Sequence, residues 1–241
     1  MTVKLFRKAR FFWVYPLAIW LFATARTSEP SLRLGSALVL LGEALRLWAN
    51  GYVGHRKVNV AGKQRNDPKI GRLITAGPYA YVRHPLYLGT LFIGAGFCVA
   101  VRSVPLAVAA LAFFLLLYRE KANGEEQLIL GEWGSDYVAY QRAVPRWLPT
   151  FRRYTPRHGQ WSWQGVRASK ELKTLVWVLA VLLAIYFGEE WLQEHELFVG
   201  KNWLKHVILF GLVMVLITSD IVIEVVSRFR RSSRLPPSAA A

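Results

Sequence analysis

Six apolar runs set the rhythm of this chain, at 11–25, 32–53, 86–101, 104–118, 175–192 and 203–226, and polar, mostly basic stretches separate them. Runs of this length and apolarity predict membrane-crossing helices. Lys and Arg crowd into four stretches: the N-terminus, 54–84, 119–173, and the tail bearing Arg228, Arg230, Arg231 and Arg234. The other connections are short or acidic, namely 27–31, Arg102-Ser103, and the loop with Glu194 and Glu196 against Lys201. This bias assigns the basic stretches and both termini to the cytoplasm. The expectation is an all-α integral membrane protein of about six transmembrane helices in a cytoplasmic (inner) membrane. The third and fourth runs give roughly 23 Å of helix each against a hydrocarbon core of about 30 Å, so they read as a tight hairpin that returns the chain to the side it left.

Composition agrees with that picture. The chain has 241 residues, 54% of them hydrophobic, with a formal net charge of +16. In a soluble protein that charge would point to nucleic acid; here membrane orientation accounts for it and no nucleic-acid partner is expected. Cys98, the single cysteine, lies inside an apolar run and reads as a packing residue. The basic start followed by 11–24 resembles a signal peptide with Ala23-Thr24-Ala25 as a cleavage site, but an uncleaved first span is the preferred reading. Residues 1–160 are expected to form a motif-bearing core of four spans, and 161–241 an interfacial linker with a two-helix membrane hairpin. The segment 152–170, rich in Arg, Trp and Gly, supplies that linker, with Trp161 and Trp163 at headgroup depth. His55, His158, His195 and His206 lack metal-ligand spacing, and no metal site is expected.

Chemistry concentrates in two blocks on one side of the hairpin. The first runs from Gly77 through Pro78, Tyr79, Tyr81, Val82, Arg83, His84, Pro85 and Tyr87 to Gly89. Gly77-Pro78 marks a turn, and Pro85 suits the first position of a helix, so His84 should stand at a helix mouth. Unpaired backbone N–H groups there favour an anion such as an amino-acid carboxylate, and Arg83 would reinforce them. Tyr79, Tyr81 and Tyr87 can enclose a planar base or face a sulfonium. Taken singly, each equally suits interfacial anchoring. The second block holds Glu125-Glu126, then Tyr137 and Tyr140 on one helix face, then a stop at Pro145–Pro149. Adjacent carboxylates can bind ribose hydroxyls or an ammonium, whereas an isolated pair is more often a solvated helix face.

Glu43, Arg46 and Asn50 recur at spacings of three and four on the second run, a polar stripe that is costly in a membrane and therefore read as substrate-binding. Pairing of Glu43 with Arg46 is the equal alternative. Asp220, Glu224 and Arg228 read as a snorkelling ion-pair ladder, and Gly94-Ala95-Gly96 as a helix-packing element.

The Gly-Pro-Tyr-x-Tyr-Val-Arg-His-Pro-x-Tyr-x-Gly block, the Glu-Glu-x-x-Leu at Glu125–Leu128 and the Gly-x-x-Tyr-x-x-Tyr-x-x-x-Val-Pro-Arg-x-x-Pro run together resemble the isoprenylcysteine carboxyl methyltransferase and phospholipid N-methyltransferase superfamily. The likeness spans roughly 42–149 and opens with Gly42-Glu43-Ala44-Leu45-Arg46. It implies a membrane methyltransferase that binds S-adenosyl-L-methionine on the cytoplasmic side and meets a membrane lipid or lipidated acceptor through an opening to the bilayer. By motif, Gly77, Tyr79, Tyr81, Val82, Arg83, His84, Pro85, Tyr87, Gly89, Glu125 and Glu126 would bind the cofactor. Glu126, Arg83 and Arg146 would be catalytic, and Glu43, Arg46, Asn50 and Tyr140 would face the acceptor. Two features depart from the isoprenylcysteine branch: Thr90 follows the motif glycine in place of a bulky or acidic residue, and two spans follow the last block.

Methyl transfer is an in-line displacement that needs positioning and water exclusion more than a protein nucleophile. An amine acceptor must lose a proton, which Glu126 or a tyrosine would take; a carboxylate needs no base, only an arginine such as Arg83 or Arg146 to orient it. Phospholipid amine N-methylation is the leading expectation and carboxyl methylation the alternative. Steroid and sterol reductases, which use NADPH, share the Arg-His-Pro-x-Tyr and Gly-x-x-Tyr-x-x-Tyr regions; Glu125-Glu126 and the Gly-Pro-Tyr lead-in argue against them. A non-catalytic scaffold is the least favoured reading.

Overall fold

A computed structural model of the chain describes residues 27–53, 73–155, 157–169 and 171–194, with a few helical positions between 207 and 218. The expected first span, the stretch 54–72 and the ladder at Asp220, Glu224 and Arg228 lie outside them. All regular structure among the described residues is helical, as expected for an all-α protein. The helices are α1 (Glu29–Val53), α2 (Pro85–Ala100), α3 (Val104–Ala143), α4 (Trp163–Ser169) and α5 (Glu171–Glu194), with a 3-10 turn at Gly77–Ala80 ahead of α2. Among the described residues, no helix is long and apolar enough to cross a membrane. The chain forms two compact units, Met1–Leu172 and Lys173–Ala241. α5 begins in the first and continues into the second.

Small residues let α1 and α2 approach backbone to backbone. A Cβ added at Gly96 would stand 2.6 Å from the Gly35 carbonyl oxygen, and one at Gly42 would stand 2.6 Å from that of Gly89. The pairing of low numbers on one helix with high numbers on the other makes the crossing antiparallel. Of the Gly94-Ala95-Gly96 run, Gly96 makes this contact and Gly94 faces open space. Arg102, with a left-handed φ of 53°, turns the chain between α2 and α3. Ser103 then caps α3 by accepting the Leu106 N–H at 3.4 Å. The antiparallel return expected of this hairpin follows.

α3 is longer than the expected 104–118. It runs 40 residues through the Glu125-Glu126 pair, and its helical dihedrals break at Gly134, where φ is 46° and ψ is −119°. A glycine tolerates that conformation without the Cβ clash that would burden other residues. The kink turns the final helical stretch so that Tyr137, Tyr140 and Val144 are buried together, packed by Leu73, Ile129, Trp133 and Tyr154.

Beyond α3 the chain runs back along the first block. Arg83 N–H donates to the Pro145 carbonyl at 2.9 Å, Thr150 N–H to Tyr81 at 2.9 Å, and Tyr154 N–H to Ala80 at 3.0 Å. His158 accepts from Thr75 and Ala76, and Ser162 donates to Gly51 at the end of α1. The indole of Trp161 lies against Gly51, where any added Cβ would overlap it. These bonds tie the expected interfacial linker to the first unit.

Candidate active site

The 3-10 turn is built by Gly77, whose φ of 62° brings its backbone under the Tyr52 ring, and by Pro78. Tyr140 OH donates to the Tyr79 carbonyl at 2.7 Å and pins the turn to α3. Burial pushes the phenols of Tyr79 and Tyr140 up from their ordinary range, and neighbouring phenols add to the shift. Tyr137 is raised chiefly by burial as well.

Pro85 occupies the first turn of α2 and His84 its N-cap, the helix mouth that the sequence predicts. The His84 side chain does not cap the helix; its Nε2–H donates to Glu126 Oε1 at 2.9 Å. Because that carboxylate only accepts, the bond fixes the proton on Nε2.

Glu126 is the centre of the site. It is buried on α3 and accepts from four side chains, His84, Arg83, Arg146 and Gln141. Arg83 Nη1 lies 2.9 Å from Oε1, Arg146 Nε donates to Oε1 at 3.0 Å while its Nη2 donates to Oε2, and Gln141 Nε2 reaches Oε2 at 3.2 Å. Burial alone would raise the carboxyl. The His84 and Arg146 hydrogen bonds and the charges of Arg83 and Arg146 outweigh it and hold the pKa at about 2. Two guanidiniums against one carboxylate leave the cluster one positive charge in excess.

Arg83 Nε is buried and has no hydrogen-bond partner. An unpaired donor in a positively charged cluster fits a carboxylate or another acceptor from a bound ligand. On the Glu126 and Arg146 side of the cluster, a cleft of about 200 Å³ is lined by Asn123, Glu126, Gln127, Leu130, Gln141 and Arg146. Arg146 Nη1 also donates to Asn123 Oδ1 at 2.7 Å.

Aromatic rings form the adjoining wall. Tyr87 stacks on His84 with centroids 5.2 Å apart and meets Tyr118 edge-on at 4.6 Å, while Trp147 closes on His84, Tyr87 and Phe114. Lys121 Nζ stands 5.0 Å from the Tyr87 centroid, so this wall already attracts a cation. Tyr87 OH donates to Glu125 Oε1 at 2.6 Å.

The polar stripe of α1 gathers separately. Asn50 and Glu43 are buried and Arg46 is largely so, but Arg46 does not hydrogen-bond Glu43. Its Nε and Nη2 grip the two oxygens of Glu171, at 2.5 and 3.1 Å, and Asn50 Nδ2 donates to the same carboxylate at 2.8 Å. Arg46 Nη1 donates to Thr90 Oγ1 at 2.6 Å. Both carboxyl oxygens of Glu43 are buried without a hydrogen-bond partner.

The structure therefore brings Arg83, His84, Glu126 and Arg146 together, with Tyr87 and Glu125 alongside, and collects Glu43, Arg46 and Asn50 around a different carboxylate. Tyr140 is a packing and anchoring residue of the turn. Sequence reasoning missed Gln141, Asn123, Trp147 and Glu171. Glu171 carried a signal, since it is the single acid between Asp136 and Glu189 in a strongly basic stretch.

A helical hairpin clamps a Gly-Pro-Tyr turn and an Arg-His-Pro helix mouth around one ionised glutamate, and comparison with known proteins finds a family likeness in the same part of the chain, over residues 35–130. Those residues match the isoprenylcysteine carboxyl methyltransferase (ICMT) family. The chain is 30% identical over 119 residues to protein-S-isoprenylcysteine O-methyltransferase of Homo sapiens, covering 48% of this chain and 40% of the human protein. Against the Schizosaccharomyces pombe protein of the same name it is 30% identical over 112 residues, 45% of each chain. A longer match, 28% identical over 179 residues, covers 71% of this chain and 75% of the cobalt-zinc-cadmium resistance protein CzcN of Cupriavidus metallidurans. The chain thus spans about 40% of the length of the human, rat and mouse methyltransferases it matches. No solved structure matches it.

Proposed function

We propose that the protein is an integral membrane methyltransferase that uses S-adenosyl-L-methionine to methylate the carboxylate of a lipidated acceptor. The observation that carries this reading is the Glu126 cluster, with its excess positive charge and unpaired Arg83 Nε; its Arg83, His84 and Glu126 lie inside the segment that matches the ICMT family. S-adenosyl-L-methionine supplies a methyl group activated by its sulfonium. Arg83 would hold its carboxylate, His84, Tyr87 and Trp147 would enclose its planar and cationic parts, and Glu126 would keep the two arginines aimed.

Carboxyl methylation is favoured over the phospholipid amine expected first. An amine acceptor needs a group to take its proton, and Glu126, at about 2 and saturated with donors, is a poor base. Tyr79 and Tyr140, raised by burial, are not ionised near neutral pH. A carboxylate needs only orientation, and the two-pronged hold of Arg46, with Asn50, on Glu171 is of the kind such an acceptor would need. The relatives named as isoprenylcysteine O-methyltransferases support the same choice.

Membrane placement is supported by the apolar runs of the sequence and by Val104, Val108, Leu111, Leu115 and Leu116, large side chains exposed along the first half of α3. Six spans with the site facing the cytoplasm remains the proposed arrangement, from the distribution of Lys and Arg.

The deciding experiment supplies purified protein with methyl-labelled S-adenosyl-L-methionine and either an N-acetyl-S-prenylcysteine or a phospholipid extract. Label in the organic phase that mild base releases as methanol is the expected result, because it is a methyl ester. Base-stable label on a headgroup would replace this reading with amine methylation.

A further inference from the structure

Glu171 lies outside the family-matched segment and near the end of the first unit, yet it fills a two-pronged, carboxylate-specific contact. Arg46 meets both its oxygens, Asn50 adds a third bond, and the side chain is buried. Glu43 stands one turn before Arg46 on α1 with both carboxyl oxygens buried and unpartnered, so a second carboxyl lies next to the same guanidinium without bonding it.

Arg46 does not depend on Glu171 for its position. Its Nη1 donates to Thr90 Oγ1 at 2.6 Å, and Thr90 in turn donates to the Leu86 carbonyl at 2.9 Å, which anchors the guanidinium to the first turns of α2. That places Arg46 on the same helix end whose mouth carries His84. A carboxylate can leave this grip and another can enter with no change in the charge held against Arg46 and no loss of the arginine's placement.

We infer that Glu171 is an internal carboxylate occupying the acceptor's seat on Arg46 and Asn50, a self-occluding contact that an incoming acceptor carboxylate must displace. This rests on the carboxyl-methylation reading above. The exchange trades one Arg-carboxylate grip for another, so the acceptor gains little from the carboxylate itself, and its affinity comes from the lipid portion, which Glu171 lacks. Acceptors with a short or absent lipid would fail to displace it, a selectivity that Arg46 alone would not provide.

The test measures binding of an N-acetyl-S-prenylcysteine and of its carboxamide to full-length wild type, Glu171→Gln and Glu171→Asp. Cofactor affinity serves as the check that each variant is folded. Glu171→Gln keeps the size and one acceptor oxygen for Arg46 but gives up the charge. It should bind the carboxylate probe tenfold or more tightly than wild type, with carboxamide binding unchanged and Glu171→Asp between the two. Unchanged or weaker carboxylate binding in Glu171→Gln, with cofactor affinity intact, overturns the inference and makes Glu171 a positioning residue for Arg46. Equal tightening for acid and amide also overturns it. Ester formation by wild type without the affinity difference leaves the methylation reading standing; tighter binding with no ester from any variant leaves the seat standing and removes the reaction.

Discussion

At Glu126 a single side chain joins stability to the proposed function, and pH separates the two. Its carboxyl, held at about 2 in the fold against an ordinary 4.5, stabilises the native state fully above pH 4.5. That contribution falls away as pH drops through the window from 4.5 to about 2. By linkage it amounts to roughly 3 kcal/mol, an order-of-magnitude figure. Glu126→Gln should therefore be less stable than wild type at pH 7, and the gap should close on acidification; a gap that widens towards pH 3 would contradict the assignment. The same variant leaves Arg83 and Arg146 facing each other without a counter-charge, so cofactor binding should weaken at least tenfold by calorimetry. Tyr140→Phe is milder. It removes the bond to the Tyr79 carbonyl and should cost about 1 kcal/mol in detergent unfolding while leaving Glu126 untouched.

Between elements, the close approach of α1 and α2 positions both polar clusters, since α1 carries Arg46 and Asn50 and α2 opens at His84. Gly96→Ala puts a methyl 2.6 Å from the Gly35 carbonyl oxygen, and backbone at that point has no flexible end to yield. A loss of about 1–3 kcal/mol is expected. Gly94→Ala, two residues away on the same helix, meets nothing within 4 Å and should be neutral or slightly stabilising. Thermal unfolding of the two variants side by side checks the crossing; equal effects would refute it. The sequence made the α2–α3 hairpin, its turn and the His84 helix mouth legible, because Pro and Gly act locally and apolar runs mark where helices lie. It could not show that Arg46 passes over Glu43, four atoms of reach and one helical turn away, to take Glu171. That choice is made by long-range packing of the 144–171 stretch, where backbone bonds from Arg83, Thr150, Tyr154 and Ser162 steer the chain. Likewise, adjacent Glu125 and Glu126 look equivalent in sequence. Helical rotation sends one to Tyr87 and the other into the arginine cluster.

For the whole molecule, the distribution of apolar surface bears on where the proposed chemistry would take place. The outward side chains of α3 up to Leu116 are almost all apolar, whereas from Arg119 onward charged residues alternate along the same helix. The change falls one to two turns before Glu125 and Glu126, so an apolar medium around the first part of α3 would end close to the level of the site. A lipidated acceptor could then keep its chain in the bilayer while its polar end reaches the arginines, and the cofactor could enter from water. Two measurements test this geometry. The protein should stay with the membrane pellet after alkaline carbonate extraction; release into the supernatant would remove the integral reading. In sealed inside-out vesicles, cysteines introduced at Gln127 and Leu130, beside the cleft, should react with a membrane-impermeant maleimide after the native Cys98 is replaced by Ala. A cysteine at Leu115 should stay protected, since lipid would cover it. Equal labelling at all three positions would place the apolar face of α3 in water and detach the site from the membrane surface.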